Sequence, residues 1–145
     1  MDADKVLASI SGLLMSAPLT RDQQHLLGLQ LLAWARLSDD GLLDPKHQVQ
    51  SVKDGTNSDI IDAAKALDEQ HKAFRGLALS VMAAGATVVR RVFEECDKLR
   101  EQGHLQGCDP RDVLTEVTAR GEFSVSRVLA DLMVGLLELA PDQSA

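Results

Sequence analysis

The chain has 145 residues, 45% of them hydrophobic, which is enough for one domain with a buried core and too much for a disordered chain. Its four aromatics, Trp34, Phe74, Phe93 and Phe123, leave Leu, Ala, Val and Met to build that core, which suits packed helices better than a sheet sandwich. The formal charge of −7 argues against a free-standing binder of nucleic acid, because phosphate neutralisation by a basic face supplies most of such affinity.

The N-terminus, "MDADKVLASISGLLMSAP", places Asp2 and Asp4 where a secretory signal carries positive charge. No apolar run reaches the length of a membrane span. With Cys96 and Cys108 as its two thiols, the chain reads as cytoplasmic, with reduced cysteines and no membrane partner.

Over residues 2–16 the apolar positions Val6, Leu7, Ile10, Leu13 and Leu14 predict a first helix, ended by Ala17-Pro18. "TRDQ" at 20–23 reads as a capping box, with Thr20 as N-cap and Gln23 reaching back. The helix behind it, "HLLGLQLLAWARL", is apolar almost all round, as a helix packed on several sides is, so it is expected to be central. Trp34 on this helix has two readings. As a core anchor it needs a partner for its indole N–H; as an interface residue it docks on another domain or subunit. The apolar surroundings favour the core.

"SDDGLLDPKHQVQSVKDGTNSD" carries Gly41, Pro45 and Gly55 among polar residues and reads as the longest irregular stretch, with one short helical turn at most. Asn57 or Ser58 is then expected to cap a third helix, whose apolar face is Ile60, Ile61, Ala64 and Leu67. From Phe74 to about Arg100 the pattern predicts a long helix with Leu77, Val81, Met82, Val88, Val89 and Val92 in the core. Gly85 costs it about 1 kcal/mol relative to Ala and is the place for a break. "EECDKLREQG" reads as a solvated end. Asp109 and Pro110 start a short helix that stops near Gly121. A final amphipathic helix follows, with Val128, Leu129, Leu132, Met133, Leu136 and Leu137 as its stripe and Ser124 or Ser126 as its cap. No strand is predicted. The fold class is all-α, an orthogonal bundle of about six helices.

Chemistry-bearing residues are sparse. Cys96, His104 and Cys108 fall within thirteen positions, but their spacing matches no common zinc pattern and a fourth ligand is missing, so an interior thiol and two loop residues are expected and no metal. His25, His47 and His71 stand apart from any candidate nucleophile. Asp39-Asp40 and Glu94-Glu95 read as solvated pairs, and Arg90-Arg91 is the densest basic group. The ten glycines are scattered and form no phosphate loop. No catalytic residue is assigned. "DPRDVLTEVTARGEFSVSRVLADL" has the helix–turn–helix outline of a DNA reader without its basic footprint.

The closing stretch "GEFSVSRVLADLMVGLLELAPDQSA" resembles the segment just before the cofactor-binding core of adenine-specific N6 DNA methyltransferases, above all the modification subunits of type I restriction systems. In that family an aromatic–x–Thr–Pro–Arg motif opens a helix of the form "LMVELL"; a polar turn and an Asp-Pro-x-x-Gly-x-Gly loop follow. Phe123, Arg127 and "LMVGLLELAPDQS" fit, while Val125-Ser126 stand where the family has Thr-Pro. "HLLGLQLLAWARLSDDG" is similar to the family's apolar N-terminal helix before a long variable loop.

The resemblance implies an N-terminal helical domain over residues 1–120 and a lead-in helix over 121–145, with the chain truncated before an α/β S-adenosylmethionine-dependent core. It also implies that Phe123, Ser124, Val125 and Ser126 line one wall of an incomplete cofactor site. Its implied role is subunit assembly and DNA clamping in a site-specific DNA adenine-N6 methyltransferase, with no catalysis by this segment alone. The implied partners are a specificity subunit or a second modification subunit, and DNA through the full-length protein, whose active site must flip the target base. The alternatives are an independent all-α protein-interaction module and a helix-turn-helix regulator.

Overall fold

The computed structural model describes residues 3–39 and 41–101, and among these it is all-α. Six α-helices run in chain order: α1 (Ala3–Leu14), α2 (Arg21–Asp39), α3 (Val49–Asp54), α4 (Asn57–Gln70), α5 (Leu77–Ala84) and α6 (Ala86–Glu101). Two 3-10 turns, Pro45–His47 and Lys72–Phe74, precede α3 and α5. The helices expected beyond Gly103 lie outside the described residues, so the count of six is reached within a shorter stretch than the sequence pattern suggests.

α2 is the axis of the bundle. Its Thr20 cap is the expected reciprocal box: Thr20 N donates to Gln23 Oε1 at 2.9 Å, and Gln23 N donates to Thr20 Oγ1 at 3.2 Å. From Leu27 to Ala35 every residue is buried, and α1, α3, α5 and α6 all pack on it. That accounts for a helix without a polar face. α1 lays Ile10 and Leu14 over Gly28, where a Cβ would meet Ile10 Cγ2 at 3.2 Å; the glycine in "HLLGLQ" lets these two helices close up. Full burial of each Leu on α2 is worth about 1.5–3 kcal/mol, which is why this helix organises the rest.

α4 buries Ile60, Ala63, Ala64 and Leu67 on one face, and α6 buries Ala86, Val89, Val92, Phe93 and Cys96 at i, i+3, i+4 spacing. The 74–100 segment is broken at Gly85, whose φ of 95° and ψ of 143° belong to a region that side chains avoid. The chain bends by 114° between the two arms, Lys72–Ala84 and Ala86–Lys98. No single helix among the described residues is long and apolar enough to cross a membrane.

Three expectations are corrected. The 39–58 stretch holds α3 as well as a 3-10 turn. α4 is capped by Thr56 rather than by Asn57 or Ser58: Asp59 N donates to Thr56 Oγ1 at 3.3 Å, and Thr56 N donates to Asp59 Oδ2 at 2.7 Å. Met82, expected in the core, is exposed, because the bend at Gly85 turns that side of α5 away from the bundle.

Candidate functional site

An open cleft of about 330 Å³ lies between the 3-10 turn Pro45–His47, α3 and α4, lined by Lys46, His47, Ser51, Asp59, Asp62 and Ala63. Local bonds fix its walls. Asp44 Oδ1 accepts from Lys46 N at 3.0 Å and holds the turn, with Pro45 at its first position. Ser51 Oγ donates to the Pro45 carbonyl at 2.9 Å, and Asp59 is engaged with Thr56.

Those bonds decide what the cleft can do. The Ser51 hydroxyl proton goes to a main-chain carbonyl and not to His47, so the pair is not arranged as nucleophile and base. Two carboxylates oppose one lysine, so the cleft does not collect phosphate as a basic groove does. It can admit a small polar molecule and offers no constellation for bond chemistry. Sequence reading had no signal for it, since its residues come from three separate elements.

Several other polar and titratable groups among the described residues are engaged within the fold. The main-chain carbonyl of His47 is taken by the Trp34 indole N–H at 2.6 Å, and Trp34, fully buried, forms a T-shaped pair with Phe93, ring centroids 5.0 Å apart. The core reading of Trp34 is therefore the observed one, and its partner is the group an indole requires. Arg90, half of the densest basic pair, is committed: Nη1 donates to Asn57 Oδ1 at 2.5 Å and Nη2 to the Gly55 carbonyl at 2.8 Å, so α6 holds the α3–α4 turn. Arg91 alone of the two is exposed. Lys53 of α3 pairs with Asp97 of α6.

Cys96 is buried in the core, as an interior thiol, and its segment is less solvated than expected, with Asp97 and Glu95 half-buried. His71 packs edge-on to Phe74 with ring centroids 6.1 Å apart, and burial pushes its pKa below the usual 6.5. Gln30, 1% exposed, donates to the carbonyls of Ala73 at 3.2 Å and Arg75 at 3.0 Å and pins the second 3-10 turn to α2. Among the described residues, no three His, Cys, Asp or Glu gather as a metal-ligand group.

The expected cofactor wall, Phe123, Ser124, Val125 and Ser126, lies outside the described residues, as do His104 and Cys108. Comparison with protein-family descriptions, with curated proteins and with solved structures finds no match for this chain.

Proposed function

We propose that this chain is the N-terminal helical domain of an adenine-N6 DNA methyltransferase of the type I restriction-modification kind. The observation that carries the reading is the stretch "GEFSVSRVLADLMVGLLELAPDQSA", in which Phe123, Arg127 and the "LMVGLLELAPDQS" run keep the order of the family's lead-in to its cofactor core. An all-α bundle built round an apolar helix, with a polar connection from Asp39 to Thr56 after it, agrees with the domain that precedes that core in the family.

On this reading the domain works in the cytoplasm as an assembly piece. It contacts a specificity subunit, a second modification subunit or its own catalytic domain, and helps to close the enzyme round DNA. S-adenosylmethionine belongs to the parent enzyme; Phe123–Ser126 give that molecule one wall, and the transferred methyl group and the flipped adenine meet elsewhere. The acidic charge suits a domain that positions DNA through partners better than one that grips phosphates itself.

The test is to read the gene past Ala145 and to titrate the present chain with S-adenosylmethionine in a calorimeter. A strand followed by Asp-Pro-x-x-Gly-x-Gly, with no micromolar binding by this chain alone, is the expected result. A stop codon directly after Ala145 overturns it in favour of an independent interaction module. Tight, salt-dependent binding of this chain to duplex DNA overturns it in favour of a regulator.

A further inference from the structure

Gly85 is the whole of the connection between α5 and α6. Its N–H donates to the Val81 carbonyl at 2.8 Å, and Val89 N donates to the Gly85 carbonyl at 3.2 Å, so helical bonding reaches the glycine from both sides. What interrupts it is the backbone of one residue, at φ 95° and ψ 143°. A Cβ there would meet no atom within 4 Å. The position therefore needs glycine for its conformation and not for space.

The sequence on either side has the pattern of a single helix. On one helical wheel Leu77, Val81, Met82, Val88, Val89 and Val92 fall within one half, and Ser80, Thr87, Arg91, Glu94 and Lys98 fall in the other. The bent form uses that stripe incompletely, since Met82 is exposed and Val88 only half-buried. In a straight helix the N–H groups of Ala86, Thr87 and Val88 would also pair with the carbonyls of Met82, Ala83 and Ala84. At a helix break such groups are left to caps or water.

Straightening has a consequence that the packing fixes. α6 lies against α1, α2 and α4 with Val89, Val92, Phe93 and Cys96 buried, so one chain opening alone would expose this face and empty its groove. A second opened copy restores both, because its α6 carries the side chains that the groove is shaped to hold. Short strained connections are where such exchange arises. We propose that Gly85 is a hinge at which α5 and α6 join into one helix, and that two copies of this chain exchange α6 through it.

The Lys53–Asp97 pair reports the exchange, because Lys53 on α3 stays with the body of the bundle and Asp97 travels on α6. Unlabelled and heavy-isotope-labelled full chains are unfolded, mixed, refolded at high concentration and separated by size exclusion. A carbodiimide then joins the pair, and mass spectrometry reads which chains it joins. Links within one isotope are expected in the monomer, and links between isotopes in a dimer. Gly85→Ala is expected to raise the association constant of that dimer at least about tenfold, since alanine is strained in the bend and favoured in a helix. Gly76→Ala, strained at φ 83° with no atom in its way but outside the junction, is expected to leave the dimer as in the parent. Dimer links confined to one isotope overturn the proposal. So does a folded Gly85→Ala with no rise in dimer, or an equal rise in Gly76→Ala. Should Gly85→Ala fail to fold, the parent decides alone: links between isotopes in its dimer sustain the exchange, and their absence overturns it.

Discussion

The indole N–H of Trp34 donates to the main-chain carbonyl of His47 across 2.6 Å, and through that bond the central helix α2 holds the 3-10 turn that launches α3. The ring is fully buried and stands edge-to-face with Phe93 from α6, so one side chain joins three elements. Trp34→Phe keeps most of the apolar contact and removes the donor. The expected cost is about 1–2 kcal/mol, read as a lower urea midpoint with an unchanged slope, since a hydrogen bond of this kind nets about 1 kcal/mol and the smaller ring leaves a small void. A loss confined to the amides of 45–54, with the midpoint unmoved, would show instead that the turn unfolds separately from the bundle.

Ser38, near the end of α2, acts as the cap of a helix eleven residues further on. Its Oγ accepts from Val49 N at 3.0 Å and donates to Gln48 Oε1 at 2.6 Å, and Gln48 Nε2 in turn donates to the Leu43 carbonyl at 3.0 Å. Gln48, the N-cap by position, makes no cap bond with its own side chain. Ser38→Ala is expected to destabilise the protein by about 1 kcal/mol, as loss of an N-cap does, and to speed exchange at Val49 to Val52 more than anywhere in α2. Ser38→Thr keeps the hydroxyl and is expected to recover most of that protection.

These two bonds explain what sequence reading could and could not find. α2 was legible because its start signal is local, Thr20 with Gln23, and its apolar residues run round the whole helix. The break at Gly85 was legible because glycine marks its own backbone. α3 is not: its six residues have little period, its first N–H, that of Val49, is satisfied by Ser38, and the turn before it is held by Trp34 through the His47 carbonyl, neither of which a local window connects with Val49. The cap of α4 reads one or two residues late in the sequence because Thr56, Asn57 and Ser58 are all cap formers and the reach of Asp59 decides among them. A straight helix over 74–100 puts Met82 in the core; the 114° bend does not. Of the candidate site, the chemistry-poor character was legible residue by residue, while the cleft between Lys46 and Asp62 required the packing of α3 on α4.

The α3–α4 turn is closed by a contact that only glycine allows. A Cβ on Gly55 would lie 2.3 Å from Asp59 Oδ2, the carboxylate that completes the Thr56 capping box. The φ of Gly55 is −88°, so the obstacle is space and not backbone strain. Gly55→Ala is expected to cost about 1–2 kcal/mol by expelling Asp59 from the cap. In an Asp59→Ala background the carboxylate half of the box is already lost and the 2.3 Å clash is gone, leaving only a Cβ–Cβ approach of 3.0 Å, so the same Gly55→Ala change is expected to cost less than in the parent. Thermal unfolding of the four proteins of this cycle reads the coupling directly. Equal costs in both backgrounds would place the penalty elsewhere, in the Gly55 carbonyl that Arg90 holds at 2.8 Å.

His71 gives the fold a predictable response to acid. Burial beside Phe74 lowers its pKa from the usual 6.5, so the folded state prefers the neutral ring. Above about pH 6.5 the ring is neutral in both states and contributes no pH dependence. As the pH falls below that value the unfolded chain takes up the proton first, and stability is lost until the pH passes the lowered folded value, where the loss is complete. His71→Gln removes the titrating group and keeps the main-chain N–H that donates to the Leu67 carbonyl at 3.0 Å, the bond that closes α4. Between about pH 7.5 and about pH 5.5 the urea midpoint of the parent is therefore expected to fall relative to that of the variant. Parallel curves would mean that His71 is protonated as readily in the folded protein as in the unfolded chain, and that its contact with Phe74 leaves the ring open to water.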